Sequence, residues 1–139
     1  MEQVHATCID LGGKGVLLRG PSGSGKSDLA LRLIDGGARL VADDRTDLTL
    51  RDNAVIATAP EKLTGKMEVR GLGIVSVDFL PETALALVAD LIAPADVERM
   101  PEPAKVDLLG LSVALIRLAP FQASAPAKVR AALNSIAGV

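Results

Sequence analysis

A chain of 139 residues, 49% of them hydrophobic and with a formal net charge of −2, reads as one globular domain spanning 1–139. The charge argues against a nucleic-acid partner, which calls for a basic surface, and with no Trp, no Tyr and only Phe79 and Phe121 the chain nearly lacks aromatic platforms for bases. No run reaches membrane-spanning length, no signal-peptide pattern opens the chain, and the single Cys8 excludes an internal disulfide and a cysteine-based zinc site, so a cytoplasmic protein with no membrane partner is expected.

Val4–Asp10 alternates loosely and runs into Gly12-Gly13, a turn signal, which with Gly15–Arg19 predicts a hairpin. His5 lies on the first of these strands. By residue type alone, a lone histidine near a terminus is usually a solvated surface group. Gly15–Arg19 leads into Gly20-Pro21-Ser22-Gly23-Ser24-Gly25-Lys26-Ser27, which fits G-x-x-x-x-G-K-[ST] at every fixed position. Asp28–Ile34 reads as a helix leading out, with Leu29/Leu33 and Ala30/Ile34 at i, i+4 spacing and Gly36-Gly37 as its C-terminal stop. Strand, loop and helix in this order weigh against a chance Gly/Ser-rich turn. The glycines let backbone N–H groups point inward as an anion nest, and the helix adds the positive end of its dipole. Lys26 would reach the β- and γ-phosphates of ATP, and the Ser27 hydroxyl would hold Mg²⁺. The expected fold is an α/β P-loop nucleotide-binding domain with a mixed sheet.

Arg39–Ala42 reads as a short strand running directly into Asp43-Asp44. An acidic pair at a strand's C-terminal end, next in order after a phosphate loop, is where nucleotide enzymes place metal ligands and bases; the alternative is a solvated turn. Thr46–Leu50 and Val55–Thr58 flank a hairpin turn at 51–54. Lys66–Val69 and Ile74–Asp78 read as strands around Arg70-Gly71-Leu72-Gly73, with Glu68 and Arg70 read as an exposed ion pair of little worth. Ala84–Ile92 reads as a strand, with a helix as the alternative, and 93–105, holding Pro94, Pro101 and Pro103, reads as a loop. Leu111–Leu118 is an apolar strand. A last helix starts at Ser124 with Pro126 in its first turn, buries Val129, Ala132, Leu133 and Ile136, and ends at Gly138. Lys128 and Arg130 lie in its first turns, where cations are disfavoured unless an anion is near.

Four separated segments point to one family: His5, the loop Gly20–Ser27, the run Gly37-Ala38-Arg39-Leu40-Val41-Ala42-Asp43-Asp44, and Met67-Glu68-Val69-Arg70-Gly71-Leu72-Gly73-Ile74. On these the chain resembles the catalytic domain of HPr kinase/phosphorylase, the bacterial enzyme that phosphorylates a serine of the phosphocarrier protein HPr. The resemblance implies a fold related to the nucleotide-binding part of phosphoenolpyruvate carboxykinases. It implies catalytic roles for His5, Lys26, Asp43, Asp44 and Arg70. Asp44, supported by Asp43, would deprotonate the acceptor serine and return the proton in phosphorolysis. Glu68 would be a second Mg²⁺ ligand beside Ser27, and Arg70–Gly73 would form the catalytic loop. The implied function is an ATP-dependent protein serine kinase acting on an HPr-type phosphocarrier, with phosphorolysis as a reverse activity. The match is to a short form that begins at the catalytic domain, and a homo-oligomer is compatible with it.

Two rival readings carry less support. A small-molecule P-loop kinase would need an arginine-rich lid, yet 93–105 offers only Arg99 and Lys105. A nucleotide-binding switch or regulatory module without catalysis is the second: a guanine-nucleotide switch would need N-K-x-D, which neither Asn53 nor Asn134 starts, and the intact Lys26, Ser27, Asp44 and Glu68 argue against a decayed, binding-only member of the family. The scarcity of aromatics predicts a base held by aliphatic packing and backbone contacts, and so loosely.

Overall fold

The computed structural model describes residues 1–137, so the helix stop expected at Gly138 lies outside the described residues. In chain order the elements are β1 (Glu2–Val4), β2 (Ala6–Leu11), β3 (Lys14–Arg19), α1 (Lys26–Asp35), β4 (Arg39–Ala42), β5 (Thr46–Arg51), β6 (Ala54–Thr58), β7 (Lys66–Val69), β8 (Gly73–Ser76), β9 (Glu82–Leu91), β10 (Ala104–Leu108), β11 (Leu111–Leu118) and α2 (Ala125–Ala137).

The long strand β9 joins two parts of one curled sheet. Its first residues, Glu82–Ala84, pair antiparallel with β6, which continues through β5 to β1. Its later residues lie parallel to β3 on one side and parallel to β11 on the other. Beyond β3 come β2 and then β4, both joined antiparallel, and β10 closes the far edge against β11. The mixed α/β architecture therefore agrees with the expected class.

The side-chain period of two divides the central strands between two cores. Ile9, Val16, Leu18, Leu40, Leu87 and Ala89 face the layer that holds Leu29 and Leu33 of α1 and Val129 and Leu133 of α2. Cys8, Leu17, Val41 and Val88 face the opposite side, against Leu48, Val55 and Leu115. Both faces are covered, which is why β3 and β9 read as continuous apolar runs. Cys8 has no solvent exposure, and burial pushes its thiol far above the usual range. A thiol reagent is thus expected to leave the native protein unlabelled and to modify one thiol per chain after denaturation; rapid labelling of the native state would place Cys8 elsewhere.

Helix α1 ends as Gly36-Gly37 predicts. Gly37 takes φ 113°, its N–H reaches the Ile34 carbonyl at 3.0 Å, and the Ala38 N–H reaches that of Leu33 at 3.0 Å. The turn at Asp52-Asn53, with φ of 52° and 61°, closes the β5–β6 hairpin as expected.

Several expectations need correction. His5 is not within a strand: it sits at a bend between β1, which pairs with β5, and β2, which pairs with β3 and β4. The segment 93–105 is not all loop, since β10 begins at Ala104 and a short 3₁₀ turn spans Pro94–Asp96. Ile136 is 40% exposed and does not complete the buried face of α2.

Candidate active site

The loop Gly20–Ser27 connects β3 to α1. Gly25 caps the helix with φ 100°, a conformation that disfavours any residue with a β-carbon. Lys26 opens the helix, is only 5% exposed, and curls back so that Nζ donates to the carbonyls of Gly20 at 2.7 Å and Pro21 at 3.1 Å. A cation is thereby fixed over the loop beside the first turn of α1, where free N–H groups already favour an anion.

Beyond the end of β4, Asp43 gathers this neighbourhood. Its carboxylate accepts from Ser27 Oγ at 2.7 Å and Thr7 Oγ1 at 3.1 Å through one oxygen, and from the Glu68 N–H at 3.0 Å through the other. Three separated segments thus meet on one side chain that is 7% exposed. Asp44 differs in every respect. It takes φ 66°, which turns it away from the path of its neighbour, and its side chain is 54% exposed. One of its oxygens lies 2.5 Å from His5 Nε2. Thr7 links the two acids: its hydroxyl donates to Asp43 and accepts the Asp44 N–H at 3.0 Å.

Lys26, Ser27, Asp43 and Asp44 line one cleft of about 840 Å³ together with Glu68 and Arg70 of the β7–β8 hairpin, and His5 and Thr7 adjoin it through their bonds to the two acids. The hairpin β7–β8 contributes Lys66–Val69 and Ile74 to the lining and, among the described residues, pairs with no other strand. It is anchored from below by Met67, which is buried against the α1 layer, while Leu72 at its tip is 75% exposed. No ion pair joins Glu68 to Arg70 among the described residues; both side chains are exposed.

For a divalent cation, Ser27, Asp43 and Glu68 supply only oxygen donors, which suits a hard ion such as Mg²⁺. Among the described residues no three His, Cys, Asp or Glu side chains form a metal cage.

The structure brings His5, Lys26, Ser27, Asp43, Asp44, Glu68 and Arg70 to this region, and it separates Pro21 and Ser24 from it, since they face a second pocket on the other side of the loop. Lys128 and Arg130 do not line the cleft. Lys128 Nζ donates to Gln122 Oε1 at 2.9 Å, and the Arg130 guanidinium lies over Gly36 at the carbonyl end of α1, where a cation is favoured. The sequence reading missed Thr7, whose type is ordinary for a strand, and the exposed cations Arg45, Lys62 and Lys66 along the cleft. The position of Arg45, directly after the acidic pair, was the available signal.

Comparison with known proteins agrees. The family model described as HPr Serine kinase C-terminal domain matches residues 1–116. A relative named HPr kinase/phosphorylase from Limosilactobacillus reuteri (strain DSM 20016) is 42% identical over 93 residues, covering 66% of this chain and 29% of its own length. Another of that name from Lactobacillus acidophilus is 48% identical over 75 residues, 53% of this chain and 23% of its own. The chain thus spans less than a third of these curated relatives. The solved HPr(Ser) kinase/phosphatase of Coxiella burnetii superposes with a TM-score of 0.86 at 26% identity, covering 99% of this chain and 94% of that one. No helix among the described residues is long and apolar enough to cross a membrane. With the family model matched over most of its length, and with its fold shared by a solved relative, the chain belongs to the HPr serine kinase C-terminal domain family.

Proposed function

We propose that this domain is an ATP-dependent protein serine kinase acting on an HPr-type phosphocarrier, with the reverse phosphorolysis as a second activity of the same site. The observation that carries the reading is Asp44, which lines the same cleft as the phosphate loop and lies 2.5 Å from His5 Nε2. Phosphoryl transfer asks for positioning and charge neutralisation more than covalent chemistry. The loop N–H groups and Lys26 stabilise charge on the nucleotide's terminal phosphates. Mg²⁺, held through Ser27 and Glu68 with Asp43 orienting the serine, supplies further neutralisation when bound.

The acceptor hydroxyl is a weak nucleophile at neutral pH and needs a positioned base. Asp44, exposed beside His5, accepts that proton as the serine oxygen forms its bond to phosphorus and the bond to the nucleotide breaks. In the reverse direction phosphate attacks, the serine–phosphorus bond breaks, and Asp44 returns the proton. Asp43 is less suited to this work because both its oxygens already hold donors. The family membership, the phosphate-loop geometry and the parallel set β3, β9 and β11 support a P-loop domain related to the nucleotide-binding part of phosphoenolpyruvate carboxykinases.

A protein acceptor is favoured over a metabolite by the walls of the cleft. None of its lining residues comes from the Pro-rich segment 93–105, and its exposed cations Arg45, Lys62, Lys66 and Arg70 suit an acidic protein surface. With labelled ATP and Mg²⁺, transfer to HPr-type proteins is expected, and none to a panel of small hydroxylated metabolites. Efficient transfer to a metabolite alone would promote the small-molecule kinase, and nucleotide binding without any transfer would leave a binding-only module.

A further inference from the structure

The phosphate loop separates two cavities. Ser22, Gly23, Gly25, Lys26 and Ser27 face the acid-lined cleft, whereas Pro21 and Ser24 face a second pocket of about 560 Å³. Its other walls are almost wholly apolar: Leu91 at the end of β9, Ile92 and Pro94 from the chain after it, and Pro120 and Phe121 from the chain after β11. Among the described residues, Phe121 is the one that borders both cavities. It is 68% exposed, and its ring lies so close over Gly25 that a β-carbon there would come within 2.9 Å of Cζ. Arg32 holds this segment in place by donating to the carbonyls of Pro120 and Gln122.

We propose that this apolar pocket is the nucleobase subsite and that Phe121 is the platform on which the base stacks. The inference rests on the kinase reading given above and deepens it. Strands β3, β9 and β11 run parallel, so the pocket opens at their shared C-terminal ends, where open α/β sheets bind ligands. Asp43 and Asp44 follow β4, on the other side of β3 in the sheet. A nucleotide lying along the loop with its terminal phosphate toward the acids carries its base the opposite way, past Phe121.

The pocket also explains how a chain with two aromatic residues can hold a base. Several of its nearby polar groups are already engaged, the Ile92 N–H with the Leu118 carbonyl, the Ala93 carbonyl with the Asp96 N–H, and Gln122 Oε1 with Lys128, while the buried Ser24 Oγ has no hydrogen-bond partner among the described residues. Stacking and apolar contact tolerate any base, whereas strong discrimination needs hydrogen-bonding groups left to pair.

The test is calorimetric titration of the wild-type chain and of Phe121→Ala with ATP, GTP and inorganic tripolyphosphate, each with Mg²⁺. Because Phe121 is exposed, its loss leaves the core intact. Both nucleotides should bind the wild type more tightly than tripolyphosphate, and Phe121→Ala should weaken them about tenfold while leaving tripolyphosphate unchanged. Equal affinity for ATP and tripolyphosphate in the wild type would overturn the subsite. So would an equal loss for all three ligands in Phe121→Ala, which would make the ring a support of the loop. Failure of tripolyphosphate and nucleotides alike to bind the wild type would remove the phosphate-loop reading, and the base subsite with it.

Discussion

Lys26→Ala is expected to lower phosphoryl transfer by at least about a hundredfold, since removal of a single preorganised donor from a developing charge costs about 10²–10³ in rate. The effect on the fold should be smaller and separable. Lys26 Nζ satisfies the Gly20 and Pro21 carbonyls, and leaving such acceptors unpaired costs about 1–3 kcal/mol. At roughly 4 °C per kcal/mol for a domain of this size, the melting temperature should fall by several degrees. Lys26→Met keeps the aliphatic stem and removes the charge, so it should melt closer to the wild type and be as inactive as the alanine variant. The measurement is initial-rate transfer from labelled ATP beside a thermal melt of each variant. Near-normal turnover in Lys26→Met would show that this cation does not neutralise the transferred phosphate.

What was legible in the sequence is what is local. The run from β2 through the loop, α1 and β4 to Asp44 is read from contiguous signals: a turn at Gly12-Gly13, a glycine-rich loop, helical spacing and a glycine stop. In the structure these elements fall where those signals put them. What was illegible depends on partners distant in the chain. Thr7 is an ordinary strand residue until β4 pairs beside β2 and brings Asp43, 36 positions on, against its hydroxyl. The bend at His5 exists because the chain changes partners there, from β5 to β3 and β4, and alternation of apolar residues does not report which strand lies alongside. Strand β10 was missed because its alternation, Ala104, Val106 and Leu108, is short and follows directly on Pro101 and Pro103. It forms because β11 doubles back on it through a turn at Leu109 and Gly110, both at positive φ. Phe121 was discounted because aromatics were counted and not placed; its value depends on the loop beneath it.

The two adjacent acids should respond differently to the same chemical change. Asp44→Asn removes a carboxylate that is exposed and bonded to His5, and asparagine tolerates the positive φ at this position. Its fold should therefore be unchanged, while loss of a general base should lower the single-turnover rate by about 10²–10⁴. Asp43→Asn acts on a buried hub. An amide offers only one acceptor atom, yet Ser27 and Thr7 donate to one oxygen of Asp43 and the Glu68 N–H to the other, so an NH₂ group must now face a donor. That mismatch should cost about 1–3 kcal/mol of stability and loosen the wall that carries Glu68, so melting temperature and rate should fall together. Single-turnover transfer to an HPr-type acceptor, measured beside a thermal melt, separates the two cases. If the asparagine variants lost the same rate at the same stability, both carboxylates would be doing one job and Asp44 would not be the base. If Asp43→Asn alone lost rate without loss of stability, the roles would be exchanged, and His5 would then hold a carboxylate that only shapes the cleft.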